Sequence, residues 1–99
     1  MRPLLALAFA LAPLPALAAL SPFYDSGEQI GTILASAEVA AALGQAPLRG
    51  VENTGTRADG ASEWTVRSQA CDLVVYLVAV PPEGVGMTTY RLDGIKGCD

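Results

Sequence analysis

The sequence predicts an α+β protein: an N-terminal helix packed on a four-stranded antiparallel meander sheet, forming a two-layer sandwich. Three observations carry this. A capping signal opens a run of apolar residues at helical spacing between Ser26 and Leu43. After Pro47 the spacing changes to the alternation of strands, with Asp59-Gly60 as a hairpin-turn dipeptide. In the last third, two strand-like runs flank a Pro- and Gly-rich turn whose centre is also the midpoint between the two cysteines, Cys71 and Cys98.

Ahead of these elements lies a leader. Met1-Arg2-Pro3 supplies a short positive start, Leu4 to Ala19 is an uncharged apolar run, and Ala16-Leu17-Ala18 places small residues where a signal peptidase needs them. The expectation is a signal peptide over residues 1–18, leaving residues 19–99 as a single small disulfide-stapled domain. A transmembrane anchor is the competing reading. It is disfavoured because a spanning helix needs about 20 apolar residues, and Pro13 and Pro15 interrupt the run.

The helix should begin at Asp25-Ser26-Gly27-Glu28, which has the D-x-x-E form of a capping box. Ile30, Ile33, Leu34, Ala37 and Ala41 then share one face. Gly44 ends it, and Pro47 prevents continuation. Val39 and Leu43 lie off that stripe, and Ser36 could cap a second short helix carrying them, so the helix is read as Ser26 to Leu43 with a break near Ser36 as the alternative.

Folding the next segment about Asp59-Gly60 sets Glu52 against Arg67, Thr54 against Thr65 and Thr56 against Glu63. Folding about Gln69-Ala70 sets Arg67 against Asp72 and Trp64 against Val75, although that junction lacks the Gly or Asn that tight hairpins favour. The final pair, Leu73–Val80 with Met87–Ile95, folds about Pro81–Gly86. It sets Leu77 against Leu92 and Ala79 against Tyr90 on the cysteine face, and Tyr76 against Asp93 and Val78 against Arg91 on the other. The helix stripe is expected to cover Val51, Trp64, Val66, Leu73, Val75, Leu77, Leu92 and Tyr90.

The same register brings Cys71 opposite Cys98, close to disulfide reach. An even cysteine count behind an export leader makes a disulfide the default reading. In the chain-entropy account, closing that loop stabilises the fold by about 3–4 kcal/mol.

Composition narrows the function. Acidic residues outnumber basic ones ten to six, one of the six being Arg2 in the leader. This disfavours nucleic acid, which requires clustered Lys and Arg. The chain has no histidine, the commonest general base and metal ligand. The acids are spread along the chain, and Ser26 with Asp25 and Glu28 is explained by capping. Thr56 to Gly60 lacks the pattern of a calcium loop, and Gly84-Val85-Gly86 leads into a strand, unlike a phosphate loop. No catalytic residue, metal ligand or cofactor is therefore assigned.

Two features exceed the needs of a stable domain. One is the loop with Pro81, Pro82, Val85 and Met87, whose prolines lower the entropy cost of presenting it. The other is the outer strip of Val74, Tyr76, Val78, Val80 and Ile95, either an interface or a face covered internally. The candidate partner surface is Tyr76, Val78, Pro82, Val85 and Met87, rimmed by Arg91 and Asp93. The function expected is a small exported, non-enzymatic protein that binds another protein, as an inhibitor or as an accessory subunit of an envelope assembly. The alternatives are a carboxylate-based enzyme or ligand-binding protein, and a purely structural envelope protein. High alanine content and five arginines to one lysine fit a GC-rich bacterial genome, so a periplasmic location is placed ahead of a secreted one.

Overall fold

The computed structural model describes residues 20–98; the signal peptide expected over residues 1–18 lies outside the described residues. The elements run α1 (Pro22–Leu34), α2 (Ala37–Ala42), β1 (Leu48–Thr56), β2 (Ser62–Ser68), β3 (Asp72–Val80) and β4 (Thr89–Gly97). The strands form one antiparallel sheet in the order β1-β2-β3-β4, the meander expected from the sequence. No helix among the described residues is long and apolar enough to cross a membrane.

The first helix begins earlier than Asp25-x-x-Glu28 indicated. Ser21 is its N-cap, accepting a hydrogen bond from the Tyr24 backbone N–H at 3.4 Å, and Pro22 follows inside the first turn. Proline suits that position because its fixed φ is helical and its missing N–H has no intrahelical partner there. Asp25 is thereby freed from capping and lies in the first turn.

The break falls at Ser36, whose hydroxyl accepts from the Val39 N–H at 3.2 Å and caps α2. Changing axis there alters which residues face inward. Gln29 and Ile33 of α1 are buried with Val39 and Leu43, whereas Leu34, Ala37 and Ala41 are exposed, so the single continuous stripe does not hold.

Three departures from the expected register have local causes. In the first hairpin the Arg57 N–H donates to the Ala61 carbonyl at 2.8 Å, and Gly60 closes the turn at φ +98°. The loop is thus Ala58-Asp59-Gly60, with Gly60 as its left-handed third residue, which shifts the pairing by one place to Gly55 with Glu63, and the extra residue Thr54 shifts it once more, to Glu52 with Thr65 and Val51 with Val66. Extra residues at Arg49 and Thr54 bulge β1. Pairing of β2 with β3 agrees with expectation, including Trp64 with Val75 and Arg67 with Asp72.

Leu77 with Leu92, Val78 with Arg91 and Ala79 with Tyr90 also agree. Tyr76, however, lies opposite Gly94, because Asp93 is the extra residue of a bulge. Gly94 at φ +145° supplies a conformation that a side chain would strain. The bulge reverses which side β4 presents, so Ile95 pairs with Val75 and packs against the core instead of joining the outer strip.

Ile33, Val39 and Leu43 form one buried cluster with Trp64, Val66, Leu73, Val75 and Leu77. Val51, Tyr90 and Leu92 are partly buried against it. Cys71 and Cys98 form a disulfide with Cα atoms 5.4 Å apart, tying the start of β3 to the residue after β4.

Candidate partner surface

The outer sheet face is built around Tyr76. The Arg57 guanidinium stands 4.9 Å from its ring centroid and the Lys96 ammonium 5.6 Å, so two cations approach one aromatic ring. Arg57 is fixed in turn by acids. Its Nε and Nη2 donate to the two Asp59 carboxylate oxygens at 2.8 Å each, and Nη2 also donates to Asp93. That hydrogen bonding, aided by the Ala61 N–H, holds the Asp59 carboxyl down at about 2. The same two acids raise Arg57 above its ordinary value. Arg91 reaches the other Asp93 oxygen at 3.5 Å.

Next to this network runs a second one. Arg67 donates to Glu52 at 2.8 Å and to Asp72 at 2.9 Å, the flanking row expected from the sequence, with Glu52 meeting it diagonally. Thr54, the bulged residue, bonds Glu63 at 2.9 Å and Thr65 at 3.1 Å. Of the outer strip, Tyr76 is thus covered by two cations. Val74, Tyr76 and Val78 are half-buried, and Val80 is 38% exposed.

The candidate residues divide into two groups. Tyr76 and Val78 lie in the half-buried strip with Arg91 and Asp93 at its border, Arg91 facing Val78 across the ladder. Pro82, Val85 and Met87 belong to the β3–β4 loop, where Val85 is 97% and Met87 48% exposed while Pro82 is half-buried.

The inner side holds a polar chain that the sequence reading did not assemble. The Trp64 indole N–H donates to Gln29 Oε1 at 2.9 Å, the Gln29 amide donates to Asp25 Oδ2 at 3.0 Å, and the Tyr90 hydroxyl donates to Asp25 Oδ1 at 2.7 Å. Burial, with Asp25 beside it, pushes Tyr90 up to about 12. The available signal was helical spacing: Asp25 and Gln29 are four apart and share the side of α1 that carries Ile33. The indole, amide and phenol donors of this chain each have an acceptor.

An apolar groove of about 180 Å³ opens between the helices and the sheet, lined by Leu34, Ser36, Val39, Leu43, Leu48 and Val66 among others. Its lining includes no acidic or basic side chain. Among the described residues no group of three or more acids and cysteines is placed to hold a metal ion. No family model, no curated protein and no solved structure matches this chain.

Proposed function

We propose that this chain is a small exported, non-enzymatic protein that binds another protein, as an inhibitor or an accessory subunit of an envelope assembly. The observation that carries the reading is the β3–β4 loop: Val85 is 97% exposed at its tip, Met87 is about half exposed, and Pro81-Pro82 stiffen its entry. Val85 and Met87 together on a turn stiffened by two prolines are suited to contact a partner at low entropic cost. Tyr76 and Val78 extend that surface along the outer face, and Arg91 with Asp93 supplies a polar rim of the kind interfaces have.

Residues 19–99 act as one unit in this reading, with α1 and α2 as one layer over one side of the sheet. The cluster of Ile33, Val39 and Leu43 with Trp64, Val66 and Leu73 supports that arrangement. Export, with residues 1–18 as a cleaved signal peptide and a periplasmic or extracellular destination, is supported by the leader pattern and by the disulfide.

The test is a pull-down from the native envelope fraction with the oxidised protein, beside a Val85→Asp/Met87→Asp double variant. One stoichiometric protein, lost with the variant, is the expected result. Absence of any partner, or equal capture by both forms, would overturn the reading.

A further inference from the structure

The loop from Pro81 to Thr88, between β3 and β4, is braced on every side except its tip. Pro81-Pro82 restrict the entry. Gly86, at φ +151°, folds back on Pro82, where a Cβ added to the glycine would stand 3.5 Å from the proline Cβ. At the base of the loop Val80 pairs with Thr89 and Ala79 with Tyr90. Between the two bracing contacts the chain projects, and Val85, 97% exposed, stands there between Gly84 and Gly86 with no neighbouring side chain to crowd it.

The disulfide encloses this loop: Cys71 precedes it and Cys98 follows it. Cutting the chain at Val85–Gly86 would therefore not separate the two pieces. They would stay joined through Cys71–Cys98, with β3 and β4 still paired and Leu77, Leu92 and Ile95 still packed in or against the core.

We propose that this loop is the substrate-like binding loop of an endopeptidase inhibitor, with Val85 entering the specificity pocket of a serine endopeptidase that takes small aliphatic side chains. The assignment rests on the protein-binding reading above and names the class of the partner. Such enzymes hold the substrate chain in a cleft and one side chain in a pocket, and the shape and charge of that pocket set the preference. The loop holds no Lys, no Arg and no aromatic residue, so it offers nothing to a pocket with an acidic floor or to a wide aromatic slot. A small apolar pocket fits valine. Met87, two places on and 48% exposed, supplies a second contact beyond the scissile bond.

Inhibition instead of consumption follows from the bracing. Hydrolysis adds one water across the Val85–Gly86 bond, leaving a carboxyl on Val85 and an amine on Gly86. The ends of a free peptide then diffuse apart. Here the strand pairing, the core and the disulfide keep them together in the cleft at high effective concentration, and the reverse step, which releases that water, rejoins them. A loop already held in its bound shape also loses little entropy on docking.

The disulfide-intact protein, expressed from its full sequence, is titrated against a serine endopeptidase of elastase type, with a small pocket, and one of trypsin type, with an acidic pocket, each turning over a chromogenic peptide. The expected result is inhibition of the first at micromolar protein or below, and none of the second. Val85→Gly should weaken it by about tenfold or more, as loss of a central anchor does. Val85→Arg should transfer inhibition to the trypsin-type enzyme, a change of preference of about a hundredfold or more, which loss of the fold could not produce. Any cut made during long incubation should fall at Val85–Gly86 and give one species on a non-reducing gel and two after reduction. No inhibition of the elastase-type enzyme, rapid digestion at many bonds, or Val85→Arg without transfer overturns the proposal. Capture of an envelope protein without that inhibition would also overturn it, while leaving the wider protein-binding reading in place.

Discussion

Trp64 donates its indole N–H to the side-chain oxygen of Gln29 at 2.9 Å, joining β2 to the inner side of α1 across 35 positions of sequence. Both residues are buried, at 4% and 8% exposure. The indole has one donor and no acceptor, so the position of Gln29 decides whether that donor is satisfied. Gln29→Leu keeps the volume but orphans both the indole N–H and the hydrogen bond to Asp25. The expected loss is about 1–3 kcal/mol, the cost of a buried unsatisfied polar group. In a domain of this size each kcal/mol lowers the melting temperature by about 4–8 °C. Thermal unfolding followed by Trp64 fluorescence measures it, and an unchanged melt would show that the bond carries no stability.

Tyr90 links the same network to pH. Its folded-state pKa is raised from the ordinary 10.0 to about 12, first by burial and then by the hydrogen bond to Asp25. A raised folded pKa favours the protonated phenol in the folded state. Its contribution to stability is therefore complete below about pH 10 and is lost as pH rises through about 12. Melting temperatures measured from pH 8 upward should fall across that window, and Tyr90→Phe should flatten that part of the profile. A wild-type profile that matches the variant would remove the assignment.

The periodicities legible in the sequence reached the meander, the Trp64–Val75 and Leu77–Leu92 pairings and the meeting of Cys71 with Cys98, because each depends on alternation and on turn position. What escaped depends on single residues outside those patterns. One added residue, Asp93, turned Ile95 inward and moved Tyr76 from Asp93 to Gly94. The helix is capped at Ser21, ahead of the Asp25-x-x-Glu28 pattern, and Asp25 is engaged instead by Gln29 and Tyr90. Of the candidate surface, the exposed loop could be foreseen from its composition. The shelter over Tyr76 could not, because Arg57 reaches it from a hairpin distant in sequence.

That shelter makes a separate prediction. Arg57→Gln removes the guanidinium whose hydrogen bonds are the largest cause of the low Asp59 carboxyl value. Asp59 should then titrate well above its present value of about 2 and toward the ordinary 3.8. In the wild type, the small stabilisation from this pair is present above about pH 3.8 and fades as pH falls through about 2, the direction expected for a depressed carboxyl. Carboxyl-carbon NMR over an acid titration reads both values. If Asp59 titrates alike in the two proteins, Arg57 is not what holds it down.

The β2–β3 turn lacks glycine and asparagine, and Ser68 does their work. Its hydroxyl accepts from the Ala70 and Cys71 N–H groups at 3.1 Å each and donates to the Cys71 carbonyl at 2.9 Å, while its own N–H meets that carbonyl at 3.0 Å. Ser68 is 4% exposed, so these backbone groups have little water to replace it. Ser68→Ala should cost about 1–3 kcal/mol for the orphaned donors, whereas Gln69→Ala, at an exposed position, should stay within about 0.5 kcal/mol of wild type. Because this turn leads directly into Cys71, loosening it should also speed reduction of the disulfide by a small thiol. Denaturant melts give the first quantity and timed alkylation the second. A Ser68→Ala protein as stable and as slowly reduced as wild type would mean that the Ser68 hydroxyl adds nothing to the turn.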